Sequence, residues 1–300
     1  MQRPSTLLSA FVLIMAAVMV RAATSPAGQA AAPRVGAAQQ ATLKATAAKP
    51  SYIPVDNEDF QTEERLLTLA NQSRRQAGAP PLSIDAGLSH AARIHAHAML
   101  QARRLSHQFE GEPSLPQRLA AATELHLEQD GENVALDYDA EHGHEHLMHS
   151  PPHRANLLNP AYNVIGLAVL RSGNQIYIVQ DFGSALTNYL PAEVKEHIAA
   201  ALNQMRRQAS RSELRRSDWQ DADAAACSMA KADKLGMPAG TKLPESFALL
   251  TYTSLHPETL PGEAASSVAV RDLRSFSIGV CYARTPSYPM GVYWIVLSLE

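Results

Sequence analysis

The chain has 300 residues, 46% of them apolar, with a formal net charge of -3 and a pI near 6.5. That composition can bury at least one sizeable core and excludes disorder throughout. It offers no strong positive field for a polyanion, so nucleic acid is not an expected partner.

Residues 1–22 read as a secretory signal peptide. Arg3 precedes an apolar run from Leu7 to Val20, and Val20-Arg21-Ala22 forms a small-residue cleavage pattern. The alternative is an uncleaved anchor, but the run falls short of the about 20 residues that cross a bilayer. No later stretch is long and apolar enough, so no transmembrane segment remains after cleavage. Residues 23–58 are rich in Ala, Gln, Thr and Pro, and read as a low-complexity linker that cannot repay the entropy of ordering.

Order is expected to begin near Asp59. Glu63 to Ala77 places Leu66, Leu67 and Ala70 at helical spacing and stops at Gly78 before Pro80-Pro81. A second helix starts at an Asp85 cap, with Leu88, Ala91, Ala92, His95, Met99 and Ala102 in one stripe. His95 lies inside that apolar stripe and reads as a satisfied core residue. A loop follows Arg104, then a short helix over 117–122 and another over 140–150, stopped by Pro151-Pro152.

Asn163 to Leu170 and Gln175 to Phe182 are strand-like runs joined by Arg171-Ser172-Gly173-Asn174, a hairpin signal. Helices followed by a hairpin predict an α+β or layered domain over residues 59–186. Residues 187–220 read as a helical connector, with Val194, Ile198, Leu202 and Met205 on one face and arginines, including Arg206, on a solvated end. Residues 221–300 read as a C-terminal α+β block of unknown function. It ends in a second hairpin, Phe276 to Tyr282 and Val292 to Leu297, whose Ile278-Gly279-Val280 faintly echoes Ile165-Gly166-Leu167. Cys227 and Cys281 both lie in this block and can pair in an oxidising compartment; two buried thiols are the alternative.

Three segments carry a resemblance. They are Gly131-Glu132-Asn133-Val134-Ala135, then Ser150-Pro151-Pro152-His153-Arg154-Ala155-Asn156-Leu157-Leu158-Asn159-Pro160, then Ile165-Gly166 leading to Tyr177-Ile178-Val179-Gln180-Asp181-Phe182-Gly183. In this order and spacing they resemble the CAP superfamily of cysteine-rich secretory, antigen 5 and pathogenesis-related proteins, closest to its bacterial SCP-like branch. The resemblance spans roughly 63–183. It implies an α-β-α sandwich and a cleft holding two histidines and two glutamates, here His107, Glu112, Glu132 and His153, with Glu110 an alternative to Glu112. The chain departs from the animal and plant members in having no cysteine between Glu63 and Gly183.

Two carboxylates in one cleft require a positive partner: a shared proton, an imidazolium or a bound cation. His107 and His153, with Glu112 and Glu132, would suit zinc or another divalent cation. Such an ion could serve a binding module for a peptide, lipid or envelope ligand. It could also activate water for a hydrolase or peptidase, with Glu112 or Glu132 as candidate base. A third reading is a purely structural exported domain, whose polar quartet only ties loops together. All three place the protein outside the cytoplasm, secreted or in the envelope or periplasm.

The run from Glu141 to His149 tempts a zinc-protease assignment through His144-Glu145. The spacing fails, because position 148 is Met148. His142, His146 and His149 do share a helical face, read here as solvated and open to adventitious metal.

Overall fold

The computed structural model describes residues 57–237, 241 and 246–300. The expected signal peptide and all but the end of the expected linker lie outside the described residues. Order begins slightly before Asp59, since Glu58 bridges to Leu170.

Helix α1 (Phe60–Ala77) is capped by Asp59, whose side chain accepts from the Thr62 amide, and ends at Gly78 with φ +77°. Strand β1 (Ser83–Ile84) leads to α2 (Ala86–Ala102), capped by Asp85 as the sequence predicts. Its stripe is buried from Leu88 to Met99, while Ala102 is exposed. There follow α3 (Leu115–Ala122), β2 (Leu127–Asp137), α4 (Ala140–His149) and α5 (Pro151–Leu158). Pro151 therefore stops one helix and opens the next, where its missing N–H costs nothing. Strands β3 (Val164–Ser172) and β4 (Gln175–Ala185) form the expected hairpin.

These four strands make one sheet in the order β1-β3-β4-β2, with β1 parallel to β3 and the other pairs antiparallel. One face packs Leu66 and Ala70 of α1, Leu147 of α4 and Leu157 of α5 over Ile165, Leu167, Ile178 and Phe182. The other packs Ala92, Ala96 and Met99 of α2 over Ala168, Leu170, Tyr177 and Val179. The architecture is the α-β-α sandwich. Gly166 lets α2 lie directly on the sheet, since a Cβ there would sit 2.1 Å from the Leu88 carbonyl carbon.

The rest of the described chain repeats this plan. Helix α6 (Pro191–Gln208), β5 (Arg215–Arg216), α7 (Ala222–Ala232), β6 (Ala248–Ser254), α8 (Ala264–Val268), β7 (Ser275–Ala283) and β8 (Val292–Leu299) build a second sheet, ordered β5-β7-β8-β6. Again the short first strand is parallel and the others antiparallel. Segment 187–220 is thus not a connector. Val194, Ile198 and Leu202 of α6 pack on Phe276, Ile278, Ile295 and Leu297, where each fully buried side chain contributes about 1.5–3 kcal/mol. On the opposite face α7 packs Ala226 and Met229 against Trp294 and Val296. Cys227 of α7 and Cys281 of β7 are joined by a disulfide.

The repetition reaches single hydrogen bonds. Asn71 exchanges two bonds with the Leu82 backbone, at 3.0 and 2.7 Å, and Asn203 does the same with Leu214, at 3.3 and 2.9 Å. Three residues on, the buried Arg74 donates to the carbonyls of Pro80, Leu157, Asn159 and Tyr162. Arg206, also buried, donates to those of Ser212, Val268 and Val270. Arg206 is therefore not on a solvated helix end, as its neighbours in sequence suggest. Its guanidinium ties backbone carbonyls that would otherwise lack partners.

The units touch through α3. Arg284 donates to the carbonyls of Ala120, Thr123 and Leu125, Met290 packs on Leu88, Leu119 and Leu127, and Tyr282 stacks on His126 at 3.7 Å between centroids.

Candidate functional site

Two secondary-structure features bring the polar quartet together. Strand β2 presents Glu132 toward the layer of α2 and α3, and the first turn of α5 delivers His153. Asn133 holds that turn, donating to the carbonyl of His153 at 3.1 Å and to Gln180 at 3.2 Å. Asn156 donates to the Glu132 carbonyl at 3.1 Å and to Asn133 Oδ1 at 3.0 Å.

His107 and Glu132 meet directly, with Nδ1 2.9 Å from Oε1. The His107 side chain is 59% exposed and that of Glu132 only 4%, so the pair runs from the mouth of the cleft to its floor. The His153 ring faces His107 at 6.4 Å between centroids. Burial and the neighbouring His107 push the His153 pKa below the usual imidazole value, which favours its neutral form. Glu112 stands beside the pair rather than between the imidazoles. Its Oε1 lies 2.6 Å from His95 Nδ1, and its Oε2 accepts from the Phe109 amide at 2.9 Å. Glu110, the alternative, is exposed.

Two groups that sequence reasoning did not place in the site are central to it. Arg118 on α3 donates from Nη2 to Glu132 Oε2, and its Nη1 lies 3.3 Å from Glu112 Oε1. A single guanidinium thus serves both carboxylates, and it is the positive partner the cleft requires. His95 is buried and satisfied, as expected of a core histidine, but it belongs to the cluster. Its nitrogens face the Ser106 carbonyl at 2.7 Å and Glu112, so the Glu112 contact must itself carry a proton. Arg118 left no sequence signal, because a lone arginine on a short helix has no diagnostic spacing.

Beneath Glu132 lies Asp181, its cross-strand neighbour on β4. Asp181 is fully buried; no N–H donor reaches its carboxyl oxygens, which sit against the Glu132 carboxyl. Burial, followed by the charge of Glu132, raises its pKa well above the ordinary 3.8, so its neutral form is favoured. Asp130 is raised for the same two reasons.

Among the described residues no group of three or more His, Cys, Asp or Glu side chains is placed to hold a metal ion. Arg118 accounts for this in the cleft, since it occupies the carboxylate oxygens that an ion would share. What remains for an ion is the imidazole pair His107 and His153.

Residues 67–182 match the model of the cysteine-rich secretory protein family, CAP. This segment is a CAP domain. The CAP segment is similar to YkwD of Bacillus subtilis, an uncharacterized protein, with 31% identity over 113 residues, 37% of this chain and 44% of that protein. The chain therefore spans less than half the length of the curated relative it matches. Among solved structures, an outer surface protein from Borrelia burgdorferi is 20% identical, covering 42% of this chain and 94% of its own, with a TM-score of 0.39. An extracellular protein containing a SCP domain from Bacillus anthracis is 25% identical, covering 42% and 41%, with a TM-score of 0.37.

The second unit keeps the fold of the CAP domain and lacks its cleft chemistry. The Asp85 amide donates to Ile165 at 2.9 Å and the Ser217 amide to Phe276 at 2.8 Å, which aligns β3 with β7. In that register Leu249, Leu250, Leu297 and Ser298 stand where the first sheet has Glu132, Asn133, Gln180 and Asp181.

Proposed function

We propose that the CAP domain acts outside the cytoplasm as a binding module, whose cleft between His107 and His153 receives a peptide, lipid or cell-envelope ligand. The family is one of secretory proteins, and the expected signal peptide points the same way. Among the described residues no helix is long and apolar enough to cross a membrane.

One observation carries binding over catalysis. All four oxygens of Glu112 and Glu132 are already engaged, by His95, Arg118, the Phe109 amide and His107. A general base must reach water or substrate, and these two side chains are only 12% and 4% exposed, with a donor already on each oxygen. Metal-assisted hydrolysis by Glu112 or Glu132 is accordingly the less supported reading.

Zinc or another divalent cation fits the cleft only as a labile guest of two imidazoles, with water completing its shell. When bound, it would add positive charge for anionic ligand groups. The pairing of His107 Nδ1 with Glu132 supports this, because a carboxylate on one ring nitrogen orients the other for a ligand. Titration of the purified chain with zinc, read by calorimetry, tests it: His107→Ala with His153→Ala is expected to lower uptake by one equivalent without changing thermal unfolding. Unchanged uptake removes the ion from the cleft. A peptide and ester screen tests the choice between binding and chemistry, since turnover lost in Glu132→Gln would make the cleft an active site.

A further inference from the structure

The outward face of α4 carries His142, His146 and His149, four and three residues apart and hence on one side of the helix. In each, Nδ1 is committed. His142 Nδ1 lies 2.9 and 3.0 Å from the two oxygens of Asp139, His146 Nδ1 lies 2.6 Å from Asp137 Oδ2, and His149 Nδ1 lies 2.9 Å from the Glu145 carbonyl. A neutral imidazole that donates from Nδ1 presents a lone pair at Nε2. With side chains 59% and 67% exposed, His142 and His146 present theirs to solvent. His144 of the same helix is the contrast: it is buried, and its Nε2 is held by Ser73 at 2.8 Å.

Histidines that ligate metals characteristically give their other ring nitrogen to a carboxylate or a backbone carbonyl, which sets tautomer and direction. All three exposed histidines of α4 do so. We infer that His142 and His146 form a surface site for a transition-metal dication such as zinc, copper(II) or nickel(II), separate from the cleft, with His149 one turn further along the same face. Imidazole donors select these ions over magnesium and calcium. The helix supplies two donors and leaves the remaining positions to water or to a donor from another molecule. A fully closed site is absent, in keeping with the lack of any pre-gathered set of three donors among the described residues.

Calorimetric titration of the full chain with nickel(II) and with zinc, for the parent, for H142Q/H146Q and for H107Q/H153Q, tests the inference. His107, His142 and His146 are exposed and His153 is half-buried, and circular dichroism checks that each variant stays folded. The helix variant is expected to bind at least tenfold more weakly at one site, and the cleft variant to keep that site intact. Copper(II) paramagnetic resonance is expected to show nitrogen ligation that H142Q/H146Q removes. Uptake and nitrogen ligation unchanged in H142Q/H146Q overturn the inference, whatever H107Q/H153Q does to the cleft.

Discussion

Arg118 and Glu132, from a short helix and a sheet strand, form a buried ion pair at the floor of the cleft, with side chains 5% and 4% exposed. The same guanidinium reaches Glu112, so one cation neutralises two carboxylates that would otherwise repel. Removing one partner of a buried pair strands the other charge, at a cost of about 3–5 kcal/mol. Arg118→Met is therefore expected to lower the unfolding free energy by an amount in that range, read by urea denaturation. A loss under about 1 kcal/mol would mean the carboxylates find another partner.

Asp181 predicts a pH dependence. Its folded pKa is raised, so above the ordinary carboxylate range the folded chain keeps a proton that the unfolded chain has released. Stability falls wherever the folded state binds more protons, hence as pH climbs from that range through the raised value of Asp181. Asp181→Asn, which stays neutral, should flatten that slope and leave the protein at least as stable near pH 7. Urea midpoints between about pH 4 and about pH 8 check this. An equally steep fall in the variant would assign the slope to other groups.

Arg284 gives the second unit a role in the first. It holds three carbonyls at the end of α3, the helix that carries Arg118. Arg284→Ala is expected to cost about 1.5–3 kcal/mol and to speed amide exchange across residues 115–125. Exchange that quickens only within 246–300 would show that α3 does not depend on this clamp.

The Cys227–Cys281 bridge closes a separation of 54 residues, worth about 4 kcal/mol in the chain-entropy model. Cys227→Ser with Cys281→Ser should lower the melting temperature and loosen α7 on β7 before it disturbs the cleft. Loss of the His107 and His153 ring signals by NMR ahead of those of Trp294 would reverse that order.

Much of this was legible in the chain. Capping residues, helical stripes and the hairpin turn are local signals, which is why the Asp85 cap and the pair β3–β4 fell where expected, while Asp59, read only as the start of order, proved to be the cap of α1. His107, Glu112, Glu132 and His153 were legible through the motifs around them. The second unit was read only as a C-terminal α+β block over 221–300 with a faint echo in its hairpin, although the clearest mark that it repeats the first is linear: Asn71-Gln72-Ser73-Arg74-Arg75-Gln76-Ala77 against Asn203-Gln204-Met205-Arg206-Arg207-Gln208-Ala209, identical at six of seven positions. Read by periodicity alone, that stretch is a charged helix end, because periodicity says nothing about which arginine is buried.

Only the tertiary structure decided the rest. Arg118 joins Glu112 and Glu132 because α3 is pinned between α2 and the second unit, and Asp181 is buried against another carboxyl because β2 and β4 set it beneath Glu132. Local pattern determines which segments become helix or strand. Which charges face one another, and which lie buried, is set by contacts between segments far apart in sequence, and no window along the chain contains them.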